Sequence, residues 1–147
     1  QAGTSSVRWA SVGPGLCPPA EITLSGTGYF IRPARGYVIT QRFHRFHPGI
    51  DLALDVGEPV YAADGGTVVY SGWNPAGYGN LVVLDHGNGW RTYYAHLSEV
   101  HVSCDDWVPR GGILGEIGST GNSTGPHLHF EMLRFGIPVD PTGYIRF

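Results

Sequence analysis

The sequence predicts a mainly β protein: a single antiparallel β-sheet-based domain with a groove and few short helices. Apolar and polar residues alternate in short runs, which is the pattern of half-buried strands. The chain contains 23 glycines, and many lie between these runs, where tight turns are needed. No long run repeats its apolar residues with the 3.6-residue period of a helix, so we expect helices to be few.

The strand-like runs begin after a stretch of different composition. Residues 1–30 are rich in Gly, Ser, Thr and Pro, which is typical of an extension or linker, and residues 31–147 are assigned to one domain. The Gly87-Asn88-Gly89 segment indicates a hairpin between two of the runs. Eight runs have strand character: Tyr37–Thr40, Ile50–Leu54, Pro59–Ala62, Thr67–Ser71, Leu81–Asp85, Arg91–Tyr94, Ile113–Ile117 and His127–Leu133.

Composition excludes several classes of function. The formal net charge is −3, all nine basic residues are arginine, and they form no basic run. We therefore expect no nucleic-acid binding, which depends on clustered positive charge. No apolar stretch approaches the roughly 20 residues of a membrane span, so we expect no membrane-spanning segment. The first residues do not show the basic-then-apolar pattern of a signal peptide. This does not argue against secretion, because a trimmed secreted chain would lack that pattern too.

The two cysteines, Cys17 and Cys104, lie far apart and lack the close pair spacing of zinc-binding cysteines. One interpretation is a single disulfide, which would suit an oxidising compartment. The other is two unrelated buried thiols. Both remain open, because the pattern does not give the distance between the two Cα atoms.

The run Pro126–Glu131 carries two histidines with one residue between them. If this run is a strand, His127 and His129 project from one face, while Leu128 and Phe130 point into a core on the other. Two imidazoles on one strand face are a natural start for a metal site, because neutral imidazole is the commonest metal ligand.

The segment His47–Asp51 supplies the rest of such a site. Pro48 and Gly49 argue against a helix here, so we interpret it as a loop histidine that enters a strand. Alternation buries Ile50 and leaves Asp51 on the open side. Two histidines and one carboxylate leave an open position on zinc, which is typical of catalytic rather than structural sites.

Other histidines have simpler interpretations. His44 lies three residues before His47 and could compete for the metal, but Arg42 and Arg45 flank it. His86 sits at the predicted hairpin turn, where we expect it to order the turn. Neither residue is therefore expected to be a ligand.

Three motifs follow one another along the chain: His47–Asp51, the run Tyr94-Ala-His96-Leu-Ser98, and the block from Gly118 to Glu131. Together they resemble the motifs of the family M23 metallopeptidases, the lysostaphin-type peptidoglycan endopeptidases. The resemblance runs from about Arg32 to Pro141. It implies one zinc ion per chain, held by His47, Asp51 and His129, and a peptidoglycan peptide as substrate.

The resemblance also implies that His96 and His127 act in catalysis without binding the metal. Such a site uses zinc to polarise the scissile carbonyl and to acidify the attacking water. One histidine then accepts the proton of the water, and the other stabilises the developing charge. We favour His96 as the base. It follows Thr92 and Tyr94 at alternate positions, so we expect all three on the open face.

The sequence therefore predicts a secreted zinc endopeptidase for the stem or cross-bridge peptides of peptidoglycan. Its expected location is extracellular, periplasmic or associated with the cell wall, and we expect a monomer. One alternative is a non-hydrolytic module that binds the wall or a partner protein. Another is a general protease for Gly-rich proteins. A module without activity would lack ligands or catalytic histidines, and this chain has the full set.

Overall fold

The structure, a computed structural model, describes residues 13–147, so the first twelve residues of the predicted extension lie outside it. The described part has eleven strands and one short 3₁₀ helix, Pro141–Gly143. The prediction of a mainly β domain is confirmed, and all eight predicted strands are present with small shifts at their ends. The strands are β1 Val38–Gln41, β2 Ile50–Ala53, β3 Pro59–Tyr61, β4 Gly66–Asn74, β5 Gly79–Asp85, β6 Trp90–Leu97, β7 Glu99–Val100, β8 Trp107–Val108, β9 Ile113–Glu116, β10 His127–Arg134 and β11 Ile137–Val139.

The strands form two sheets in which every pairing is antiparallel. The large sheet has the order β1-β2-β10-β6-β5-β4-β8, and β11 pairs with β10. The small sheet has the order β3-β9-β7. No helix within residues 13–147 is long and apolar enough to cross a membrane. The order places β10 between β2 and β6, so the strands that carry the predicted site are direct neighbours.

The main core includes residues of both sheets. Leu128 and Phe130 of β10 are fully buried in it, together with Leu52 of β2. The small sheet contributes Val60 and Leu114, which are also fully buried. The strict alternation along β10 therefore leaves its histidines on the opposite face of the large sheet.

Residues 13–31, most of which lie in the predicted extension, pack along the folded domain. Leu16 forms a β-bridge with Tyr70 of β4. The backbone N–H of Gly28 donates to the buried carboxylate of Asp64 over 2.9 Å, and Ile31 N–H donates to the Ala63 carbonyl over 2.8 Å. The segment thereby covers part of the outer edge of β4, which would otherwise expose unpaired backbone groups.

His86 has a structural position, as expected, but it is buried in the core. Its Nδ1–H donates to the Gly65 carbonyl over 2.7 Å, and its Nε2 accepts from the Thr92 hydroxyl over 2.9 Å. The Thr92 hydroxyl also pairs with the Tyr94 hydroxyl at 2.7 Å. Burial lowers the pKa of His86, which keeps this ring neutral and consistent with the hydrogen-bond chain.

Cys17 and Cys104 form a disulfide, with Cα atoms 5.5 Å apart, within the range that disulfides span. Of the two interpretations of these cysteines, the structure therefore agrees with the single disulfide. The bond joins the segment before residue 31 to the loop that precedes β8.

Loss of this disulfide should reduce stability. The bond closes a loop across 87 positions, and disulfides of this kind typically contribute about 2–4 kcal/mol by restricting the unfolded chain. We expect the double variant Cys17→Ser/Cys104→Ser to lower the free energy of unfolding by that amount in urea titrations. Reduced wild-type protein should unfold at the same midpoint as the variant. Equal midpoints for oxidised and reduced protein would contradict the prediction.

Candidate metal centre and groove

The candidate metal centre lies where β2 and β10 pair. In the antiparallel register, His129 of β10 stands opposite Asp51 of β2. His129 and His127 project from the face opposite to the buried Leu128, as the alternation of the sequence predicts. The pairing of these two strands is therefore what brings the carboxylate and the imidazole together.

Three side chains predicted as ligands converge on one point. His129 Nδ1 lies 2.8 Å from Asp51 Oδ1, and His47 Nε2 lies 3.2 Å from Asp51 Oδ2. One ligand atom from each residue falls within 4.8 Å of the others. Two ligands of a tetrahedral zinc ion, each about 2.0–2.1 Å from the metal, are separated by about 3.3 Å. The arrangement of the three residues therefore fits a zinc ion.

Gly49 permits the close approach of these strands. A Cβ atom at this position would collide with the carbonyl oxygen of Phe130 and press on the His129 ring. The glycine that argued against a helix thus has a packing role, because it lets the loop after His47 lie directly against β10.

The ring orientations of the two predicted histidine ligands are set by hydrogen bonds on their far sides. His47 Nδ1–H donates to the Arg42 carbonyl over 3.1 Å, so Nε2 is the atom left to face Asp51. His129 Nε2–H donates to Glu131 Oε2 over 2.8 Å, and Nδ1 is the atom that faces Asp51. Partners of this kind orient metal-binding imidazoles in many proteins.

The electrostatics of the cluster suit a cation. Burial raises the pKa of Asp51, but hydrogen bonds and charge interactions with His129 and His47 outweigh burial and hold it below the usual range. Burial alone would lower the pKa of His129, whereas hydrogen bonds to Asp51 and Glu131 raise it to about 9. Two carboxylates on either side of one imidazole therefore stabilise positive charge at this point.

His127 lies beside the cluster of His47, Asp51 and His129. Its Nε2 is 3.8 Å from Asp51 Oδ1, and its Nδ1–H donates to the Gly125 carbonyl over 2.9 Å. The hydroxyl of Ser123 lies 3.2 Å from the same Nδ1. The loop before β10 thus turns the ring so that Nε2 faces the metal centre.

His96 reaches the same site, but for a reason that differs from the expected one. We expected Thr92, Tyr94 and His96 to share the open face, and this is wrong. Thr92 and Tyr94 are fully buried, and Tyr94 packs against Phe130 in the main core. Simple alternation would therefore have sent His96 into the core as well.

A bulge in β6 turns the His96 side chain out of the core and toward the groove. Asn80 of β5 pairs with Leu97, and Val82 pairs with Tyr94, so β6 has one extra residue between the two pairs. His96 has a backbone φ of 65°, in the left-handed region that few residues other than glycine adopt. This conformation places its ring centroid 4.7 Å from that of His127.

The His96 ring is held in one orientation. Its Nδ1–H donates to the Thr120 carbonyl over 2.7 Å, so Nε2 is the unprotonated nitrogen of the neutral ring. Burial lowers the pKa of His96 to about 4, even though the hydrogen bond to Thr120 acts in the other direction. His96 is therefore neutral at pH 7 and able to accept a proton.

The five predicted site residues line a groove with a volume of about 870 Å³. Its lining includes apolar side chains, among them Phe46, which is 82% exposed. His44 also lines the groove but lies outside the ligand set, and its Nδ1 accepts the N–H of Phe46. Several lining residues were not singled out from the sequence: Phe43, Phe46, Tyr78, Asn122, Glu131, Ile137 and Pro138.

Comparisons with known proteins agree with the motifs. Residues 45–141 match peptidase family M23. The peptidoglycan DD-endopeptidase ShyA of Vibrio cholerae is 43% identical over 108 residues, which cover 74% of this chain and 25% of ShyA.

Two solved structures are also similar. The catalytic domain of lysostaphin from Staphylococcus simulans has a TM-score of 0.69 and 34% identity, covering 74% of this chain and 91% of that one. A zinc containing peptidase from Vibrio cholerae has a TM-score of 0.69 and 34% identity, covering 79% of this chain and 39% of that one.

The chain spans about a quarter of the length of the curated relatives that it matches. The family match itself covers about two thirds of the present chain and includes all five predicted site residues. The order of the motifs, the strand pairing that joins them and these similarities agree, and the chain belongs to peptidase family M23.

Proposed function

We propose that this protein is a zinc metalloendopeptidase that hydrolyses peptide bonds in the stem or cross-bridge peptides of bacterial peptidoglycan. The observation that carries the proposal is the convergence of His47, Asp51 and His129 in a groove, with two further imidazoles beside them. ShyA is named as a peptidoglycan endopeptidase, and one similar structure is described as zinc containing, which supports both parts of the proposal.

The three ligands are two imidazoles and one carboxylate, a set that zinc accepts in catalytic sites and that leaves a position for water or substrate. When bound, zinc supplies Lewis-acid polarisation of the scissile carbonyl and lowers the pKa of the attacking water. The ligand side chains are only 11–13% exposed, so the centre contacts solvent through the groove.

His96 and His127 have the orientation that proton transfer requires. Each donates Nδ1–H to a backbone carbonyl, so each keeps Nε2 free to accept a proton. We assign proton acceptance to His96. His127 lies closer to the ligands, 3.8 Å from Asp51, and we assign it to the carbonyl oxygen where negative charge develops. In that role Nε2 of His127 carries a proton as well and donates it in a hydrogen bond to the oxygen.

The groove suits a peptide substrate with small side chains. Its lining joins apolar side chains such as Phe46 and Pro138 to the metal centre, so a bound peptide would contact both. Peptidoglycan peptides are extended and rich in small residues. The disulfide supports an oxidising location, which agrees with a protein outside the cytoplasm, in the periplasm or at the cell wall.

Purified protein incubated with isolated peptidoglycan sacculi should release soluble fragments with new peptide ends. A chelator should stop this release, and added zinc should restore it, because the ligand set requires the metal for activity. Mass spectrometry of the released fragments identifies the bond.

Matched incubations with casein and a Gly-rich protein serve as controls for specificity. If these proteins are cleaved while the sacculi remain intact, the general protease would be favoured. Zinc-loaded protein that binds sacculi and releases nothing would favour the non-hydrolytic module.

A further inference from the structure

We propose that Glu131 and Tyr78 are positioning residues for the metal ligand His129. They hold its proton on Nε2 and so reserve Nδ1 for the metal. The inference rests on the proposed function, since it concerns the same metal centre, and it assigns a role to two residues that neither hold the metal nor contact the reacting atoms.

Glu131 is placed for this role by the strand itself. It follows His129 by two positions on β10, so both side chains project from the same face. Its Oε2 lies 2.8 Å from His129 Nε2, on the side of the ring away from Asp51. A carboxylate can only accept here, so the proton of this hydrogen bond belongs to His129.

The alternative tautomer would disable the ligand. With its only proton on Nδ1, the ring would donate to Asp51 and have no lone pair for a metal on that side. It would also set the lone pair of Nε2 against the Glu131 carboxylate. Glu131 therefore makes the productive tautomer the favourable one.

Tyr78 fixes the carboxylate in turn. Its hydroxyl donates to the same Oε2 of Glu131 over 2.8 Å, and its ring centroid lies 6.1 Å from that of His129. Tyr78 belongs to the loop before β5, so a separate part of the chain restricts rotation of the Glu131 side chain.

The burial of Glu131 indicates more than a packing role. The residue is fully buried, and its Oε1 has no hydrogen-bond partner among the described residues. A buried carboxylate with one unsatisfied oxygen costs stability unless positive charge lies nearby. Asp51 and Glu131 together supply two negative charges around His129, which matches the charge of a zinc ion between neutral histidines.

The test compares zinc affinities, measured by competition with a fluorescent chelator. Loss of partners behind a metal ligand typically weakens binding about 10–100-fold. We expect Glu131→Leu to weaken zinc binding within that range, Glu131→Gln to weaken it less, and Tyr78→Phe to weaken it least. Glu116→Gln is the matched control, because Glu116 makes a 2.8 Å bond to His101 on the surface. It should bind zinc like the wild type.

A second readout distinguishes positioning from general loss of structure. In zinc-loaded protein with ¹⁵N-labelled histidine, the Nε2–H of His129 should exchange slowly with solvent, and Glu131→Leu should accelerate this exchange. Thermal melts of the metal-free variants report folding separately. Wild-type zinc affinity in a folded Glu131→Leu or Tyr78→Phe variant would overturn the inference. Failure of the wild type itself to bind zinc would instead refute the proposed function.

Discussion

Replacing His129 with alanine should abolish zinc binding and hydrolysis of peptidoglycan together. His129 is the ligand with a carboxylate on each side, and its Nδ1 lies 2.8 Å from Asp51. Without it, the centre retains one imidazole and one carboxylate, too few protein ligands for a catalytic zinc ion. Zinc measured after dialysis should fall to the level of chelated wild-type protein, and so should the release of muropeptides.

His101→Ala is the matched control for this variant. His101 also pairs with a carboxylate, Glu116, at 2.8 Å, but its side chain is 44% exposed and outside the groove. It should retain full zinc and activity. A folded His129→Ala protein that still carries one zinc per chain would refute the ligand assignment.

The β10 strand shows how much of the site can be predicted from sequence. A period of two with Leu128 and Phe130 as apolar partners is sufficient to place His127 and His129 on one face, and the structure agrees. That prediction works because one face of the strand is packed against a core, and a slip by one residue would bury both imidazoles.

His96 shows where the same reasoning fails. Its face is decided by a bulge and a φ of 65°, and neither follows from a pattern of apolar residues. The motif resemblance placed His96 in the site, whereas alternation would have placed it in the core beside Tyr94. The bulge is a shift of register between β5 and β6, and the apolar pattern of β6 alone does not reveal it.

Glu131 was within reach of sequence reasoning, while Tyr78 was not. Glu131 follows His129 by two positions, so the period of two already puts both on one face. Tyr78 meets Glu131 only because a loop 53 positions earlier folds back over β10.

The short strands and the packing of the N-terminal segment also could not be predicted from the pattern of apolar residues. β7 and β8 have two residues each, which is too short for an alternating signal. Residues 13–31 are rich in turn formers, yet the disulfide and backbone pairing with β4 hold them against the sheet. Composition indicates only the local preference of a segment. It does not predict these contacts, because they join residues far apart in the chain.

Replacing His96 with alanine should leave zinc bound and remove most of the turnover. His96 is not among the three ligands, so metal affinity should stay close to that of the wild type. Loss of a positioned acid or base typically lowers the rate about 10²–10⁴-fold. Turnover of a defined muropeptide, measured at full zinc occupancy, gives the loss directly. Wild-type turnover in a zinc-loaded His96→Ala protein would remove His96 from the mechanism.

The backbone of His96 offers a control that separates chemistry from strain. A residue with a side chain costs roughly 1–2 kcal/mol in the left-handed region, whereas glycine adopts it freely. His96→Gly should therefore unfold at higher urea concentration than His96→Ala, while both lose turnover to the same extent. Recovery of turnover in the glycine variant would mean that the bulge, and not the imidazole, is what the reaction needs. Equal loss of turnover in both variants would mean that the reaction depends on the imidazole of His96, whose Nε2 faces the groove.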